Sequence, residues 1–114
     1  MNILHFENCL AWQKAEVLVF GLHKNFKFCK DYSFKDQIQR ASISIMNNIA
    51  EGFERRSHKE LANFLNIAKG SCGEVRSMLH VACKLGYITK PDYDVSRNLC
   101  LEISRLLFAF IKSL

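Results

Sequence analysis

The chain has 114 residues, 49% of them apolar, which suits one domain with a sizeable core. A single proline, five glycines and no Gly/Ser/Pro-rich stretch exclude a linker, a low-complexity segment and a disordered tail. Sixteen Lys+Arg against 11 Asp+Glu give +5, a mild basic excess that favours polyanions through the general field without identifying one.

The first helical pattern runs from about Asn8 to Phe26, where Trp12, Ala15, Val19, Leu22 and Phe26 recur at alternating three- and four-residue steps. Lys27 to Ser33 break the period, and a second helix is predicted from Ser33 or Phe34 to Gly52. Ser57-His58-Lys59-Glu60 has capping-box spacing and opens the third helix. Its row Leu61, Leu65, Ala68, Cys72, Val75, Leu79, Ala82 and Gly86 keeps the period of near-parallel bundle packing. Gly86 stops that helix. Thr89-Lys90-Pro91-Asp92 then supplies a cap and an early proline for a fourth helix through Val95, Leu99, Ile103, Leu106 and Phe110. Short connections make neighbours antiparallel. The expectation is an all-α protein, one up-down-up-down four-helix bundle over residues 1–114.

Two helices carry more apolar surface than one bundle needs. On the second, Ile38, Ala41, Ile45 and Ile49 line one side while Ile43, Met46, Ala50 and Phe53 fill the next, an apolar arc of roughly 200° where about 100° suffices. The last helix is apolar all round from Leu106 to Ile111. Such helices are covered by another chain or sit in a thickly packed monomer; a homo-oligomer of closed symmetry is the expectation, its interface drawn from Ile43, Met46, Phe53, Leu107, Phe108 and Ile111.

The other side of the second helix is a polar ladder, Gln37, Arg40, Ser44, Asn48 and Glu51, within about 80° of arc. An ordinary solvated face would more often use Lys and Glu. Gly70-Ser71-Cys72-Gly73 stands inside the third helix, where each glycine costs about 1 kcal/mol relative to alanine. Either another backbone comes close there or the helix kinks.

The central run Gln37-Ile38-Gln39-Arg40-Ala41-Ser42-Ile43-Ser44-Ile45-Met46-Asn47-Asn48-Ile49-Ala50-Glu51-Gly52-Phe53, then Arg55-Arg56-Ser57, Phe64-Leu65, Ile67-Ala68-Lys69-Gly70-Ser71 and Glu74, resembles the four-helix-bundle family named after proteins encoded within intervening sequences of bacterial 23S ribosomal RNA genes. The resemblance extends to Phe6, to Ala11-Trp12-Gln13-Lys14-Ala15 and to Leu85-Gly86-Tyr87-Ile88. It implies a five-membered ring of bundles and a kinship with accessory subunits of diversity-generating retroelements, which are thought to bind nucleic acid and a reverse transcriptase. The motif residues it carries over, Gln37, Arg40, Ser44, Asn48, Glu51, Gly52, Gly70, Ser71 and Glu74, look architectural, with Arg40 or Asn48 expected to be satisfied by Glu74 across two helices.

No catalytic set assembles. His5, His23, His58 and His80 lie far apart, no phosphate-cradling glycine loop follows a strand, and Asp92 and Asp94 suit a helix's first turn. The five cysteines are scattered, without a C-x-x-C pair or a histidine cluster, and read as buried hydrophobes in a reducing, cytoplasmic setting; no metal or cofactor is expected. The start from Met1 carries no basic leader pattern, and Leu99 to Leu114 is broken by Glu102, Arg105 and Lys112, short of the roughly 18 uncharged residues of a spanning helix. For polyanions two basic clusters stand out: Lys24, Lys27, Lys30 and Lys35 around the first connection, and Arg55, Arg56 and Lys59 at the second. Asp31 and Asp36 interleave the lysines, as in a solvated loop. The two clusters belong to opposite poles of such a bundle, and aromatic residues at core spacing predict no base stacking. The expected function is a non-enzymatic, homo-oligomeric adaptor that binds RNA or DNA weakly through phosphates, with a protein partner alongside; a protein-interaction module without nucleic acid is the alternative.

Overall fold

In a computed structural model, which describes residues 5–114, four α-helices follow a short 3-10 turn at Phe6–Asn8: α1 Leu10–Asn25, α2 Tyr32–Phe53, α3 His58–Leu85 and α4 Lys90–Ser113. The lack of a leader pattern at Met1 to Leu4 concerns residues outside that range. At about 1.5 Å per residue the 28-residue α3 is about 42 Å long. It sets the long dimension of a 43 × 22 × 19 Å molecule.

Local chemistry explains the ends. Asp31 caps α2 by accepting the Phe34 amide at 3.1 Å, which starts that helix a residue earlier than its apolar period indicated. Ser57 accepts the Glu60 amide at 3.1 Å, and the Glu60 carboxylate reaches back to the Ser57 hydroxyl at 3.3 Å. Gly86 closes α3 at φ +78°, with Tyr87 N–H donating to Ala82 and Gly86 N–H to Cys83, the paired bonds of a Schellman end that glycine adopts without strain. Thr89 caps α4. Helix α1 begins later than its pattern, because Cys9 is buried and Gln13 donates back to the Glu7 carbonyl at 2.8 Å, folding the preceding turn onto the helix.

The backbones of α1 and α3 each run beside those of α2 and α4, so the four form a square with α1–α3 and α2–α4 as its diagonals. Phe34, near the start of α2, packs edge-on against Tyr87 beyond the end of α3. Phe53, at the end of α2, meets Phe110 near the end of α4. Those contacts are the ones made when α2 runs against α3 and along α4. The core between them holds Ala15, Leu18, Leu22, Phe26, Ile38, Ile45, Ile49, Leu65, Val75, Leu79, Ile103 and Leu107, all sealed from solvent. Gly52 lies where α2 and α3 converge: a Cβ there would stand 2.8 Å from Leu61 Cδ1 and 3.1 Å from Phe64 Cβ.

The apolar surplus is placed differently from the sequence expectation. Leu107, expected at an interface between copies, is fully buried in the chain's own core. The buried row of α4 is Ser96, Cys100, Ile103 and Leu107, while Val95 is 62% exposed, so the expected stripe is right in period and rotated in phase. Met46, Phe53 and Ile111 are half-buried against the core, and Ile43 and Phe108 are exposed on diagonal helices. The larger exposed apolar stripe lies on α1, at Leu10, Val17 and Phe20. Among the described residues no helix is long and apolar enough to cross a membrane.

Candidate functional site

The polar ladder of α2 divides in two. Its centre sits in the α2–α3 seam, where the Ser44 and Ser71 hydroxyls are 3.0 Å apart and the Asn48 amide donates to the Ser44 carbonyl and hydroxyl at 2.8 and 3.0 Å. Gln37, Arg40 and Glu51 stand in solvent. The expected contact of Arg40 or Asn48 with Glu74 is not made: Arg40 pairs with Asp36 one turn away at 2.8 Å, Asn48 spends its donor on Ser44, and Glu74 lies exposed on α3. The half-buried part of the ladder is a register pin between two helices.

The two basic clusters occupy opposite poles. Tyr87, in the α3–α4 connection, donates its hydroxyl to Asp31, in the α1–α2 connection, at 2.8 Å, and this joins both connections at one end. That carboxylate pushes the Tyr87 phenol pKa above its ordinary value. Around it Lys24, Lys27 and Lys30 are exposed, while Lys35 donates to the Lys27 carbonyl. At the other end Arg55 is engaged by Glu51 and stacks over Phe64 at 4.7 Å, with Arg56 and Lys59 exposed beside it. The structure joins neither cluster to the other.

It does assemble a third cationic surface, along the seam between α3 and α4. One groove of about 560 Å³ is lined by Arg76 and His80 of α3 and by Tyr93 and Arg97 of α4. A second, of about 420 Å³, is lined by Lys69 of α3 and by Ser104, Arg105 and Phe108 of α4. No acidic residue lines either. Among the described residues none of Lys69, Arg76, Arg97 and Arg105 takes part in an ion pair, because Glu102 turns to Lys14 of α1 and Asp94 to Lys90. Opposed helix directions bring Arg76 beside Arg97 and Lys69 beside Arg105, and seven or eight residues separate the two levels, about 11 Å along the seam. Lys90 and Lys112 extend the row at either end of α4, over the rings of Tyr93 and Phe108 at 5.3 and 5.8 Å.

Beneath this row Cys72 donates its thiol to the Cys100 carbonyl at 3.0 Å, a contact between small residues that lets the helices pack closely. Its contact with Cys72 and its burial together push the Cys100 thiol pKa well above the ordinary range, which removes it from nucleophilic chemistry at neutral pH. Among the described residues no cluster of metal-ligating side chains forms. The seam brings Lys69, Arg76, Arg97 and Arg105 onto one surface whose two grooves have no acidic lining residue. The sequence signal for it was the cation spacing itself, Lys69 to Arg76 on one helix and Lys90, Arg97, Arg105 and Lys112 on the other at steps of seven, eight and seven.

No curated protein matches the chain. Among solved structures, a protein of unknown function from the S23 ribosomal protein family of Bacteroides thetaiotaomicron is 29% identical, with 90% of this chain and 99% of that one aligned at a TM-score of 0.85. The profile of the 23S rRNA-intervening sequence proteins matches residues 7–109. With nearly its whole length inside that match, the chain belongs to the 23S rRNA-intervening sequence protein family.

Proposed function

We propose that this protein is a non-enzymatic, homo-oligomeric bundle that binds the phosphate backbone of RNA or DNA. The observation that carries the reading is the acid-free row of Lys69, Arg76, Arg97 and Arg105 in the α3–α4 seam. Guanidinium groups match phosphate oxygens in geometry as well as charge, and three of these four are arginines. The lysines near the first connection, and Arg56 and Lys59 at the opposite pole, add outer contacts and field. Five cysteines, all free, suit a reducing cytoplasm.

Assembly is the second half of the proposal. Leu10, Val17 and Phe20 on α1, and Ile67 one turn from Gly70 on α3, are exposed on diagonal helices and so face opposite ways. A head-to-tail ring uses two such different surfaces per subunit, and five subunits is the number that the family resemblance implies. Light scattering tests this directly: a fivefold mass is expected, and a lone chain at high concentration overturns it.

Mobility-shift titrations at several salt concentrations test the binding. Four phosphate contacts per subunit predict a log–log slope of roughly −3 to −4 on duplex, and Arg76→Gln or Arg97→Gln should each reduce it by about 1. Absence of binding at low salt, or binding without salt dependence, overturns the phosphate mechanism. The exposed α1 stripe favours a second reading, a protein-assembly module; a protein partner recovered after nuclease treatment, with no co-purifying nucleic acid, would support it.

A further inference from the structure

We infer that the α3–α4 seam takes a single strand of nucleic acid in preference to a duplex, with Phe108 and Tyr93 as stacking platforms for its bases. This rests on the phosphate-binding reading and adds the class of ligand. Phe26, Phe34, Phe53 and Phe110 lie in or against the core with ring partners, whereas Phe20, Phe28, Tyr32 and Phe108 are exposed. Of these four, Phe108 opens onto the same groove as Lys69 and Arg105. Tyr93 is half-buried, with part of its ring packed against the core and Lys90 over it, and lines the groove that holds Arg76 and Arg97.

The spacing pairs each ring with a guanidinium one helical turn away, Tyr93 with Arg97 at i,i+4 and Arg105 with Phe108 at i,i+3, positions that share a helix face. That repeats, twice on one helix, what a nucleotide presents: a flat base beside a phosphate. Fifteen residues separate the two rings, about 22 Å along α4, a length that holds a few nucleotides. Proteins that bind single strands without sequence preference combine a cationic track with aromatic faces, since every base has a π surface. The shape agrees. A seam between helix axes about 8–10 Å apart is concave on the scale of one backbone, whereas a duplex would rest on the rim, its bases stacked inside itself and Phe108 left in water.

The test is fluorescence anisotropy on the full-length protein at low salt, with a labelled single strand of about 12 nucleotides and the duplex made from it. The single strand is expected to bind about tenfold more tightly, and Phe108→Ala to weaken that binding about five- to a hundredfold while duplex binding moves less than about twofold. Arg105→Gln should weaken both ligands and lower both salt slopes. Because Phe108 is largely exposed, its replacement should leave the melting temperature and the light-scattering mass unchanged. Equal or tighter duplex binding, an unaffected single strand in Phe108→Ala, or a changed mass in that variant would overturn the inference and leave phosphate binding standing. Failure of both ligands to bind at low salt would remove the phosphate reading, and this inference with it.

Discussion

Gly70 and Gly73 stand in the middle of the longest helix, yet among the described residues nothing outside the helix's own adjoining backbone lies within 4 Å of where a Cβ would be on either. The helix runs unbroken from His58 to Leu85, so the glycines do not interrupt it. Each therefore costs about 1 kcal/mol of helix propensity with no internal return. Gly70→Ala should raise the stability of the isolated chain by about 1 kcal/mol, a rise in melting temperature of roughly 3–5 °C for a domain this size. Gly52→Ala is the control. Its Cβ would meet Phe64 Cβ, which is fixed close to the backbone, as well as the mobile end of Leu61, and overpacking of about 1–3 kcal/mol should outweigh the propensity gain at a helix's last turn. Thermal melts monitored by circular dichroism, at dilutions where scattering reports single chains, separate the two. In the assembled protein the same Gly70→Ala change should lower the mass if a neighbouring backbone occupies that face. A destabilised single chain in Gly70→Ala would refute the reasoning, because it would mean that the chain itself uses the missing side chain's space.

Leu107→Ala should cost about 2–5 kcal/mol in urea unfolding, as for any fully buried leucine, and a loss below about 1 kcal/mol would return that residue to the surface. Folded protein should expose two thiols to an alkylating reagent, Cys29 and Cys83, with Cys9, Cys72 and Cys100 reacting only on unfolding; rapid labelling of all five would contradict the packed α3–α4 seam. Tyr87 holds its proton more tightly folded than unfolded, so its contribution is complete below about pH 10, its ordinary pKa, and is lost as the pH rises through the raised folded value. Melts from neutral to strongly alkaline pH should show that loss diminished in Tyr87→Phe, and an identical alkaline profile in the two proteins would count against the Asp31 contact.

What the sequence made legible is what a few adjacent residues decide. Ser57 with Glu60, Gly86, and Thr89 with Pro91 each fix a helix end by bonds spanning one turn, and each end falls where those residues put it. The α3 core row was equally readable, since its four-three alternation holds without a break and its members Leu65, Ala68, Cys72, Val75, Leu79 and Ala82 are the buried residues of that helix. Helix α4 offered two rows of nearly equal merit, one through Val95 and Leu106 and one through Cys100 and Leu107. A pattern that is apolar on both sides cannot choose between them; contact with α1 and α3 does. The cationic seam was hidden for a related reason. Neither Lys69 with Arg76 nor Arg97 with Arg105 is a dense run, and they become one surface only when the two helices lie side by side. The exposed lysines around Lys27 drew attention because they are close in sequence, although Asp31 and Asp36 dilute them.

Four phosphate contacts on one subunit make a weak and strongly salt-dependent binder, and a ring changes that arithmetic without adding a contact type. In the proposed ring, once one seam held a strand, the next seam would meet the same strand at the effective concentration set by the nucleotides between them, so affinity would multiply over short segments of ligand. The α1 stripe gives a way to separate the two contributions, because Phe20 is 66% exposed and lines neither seam groove, on the helix diagonal to α3. Phe20→Glu should leave the fold's melting behaviour intact, reduce the mass to that of one chain, and weaken binding to a long strand by about a hundredfold or more. Affinity for a strand too short to reach a second seam should be unchanged to within about threefold, apart from the small repulsion of one added carboxylate. If long and short strands lost affinity equally, the ring would contribute nothing to recognition. If the mass stayed at that of the assembly, the α1 stripe would not be the contact surface.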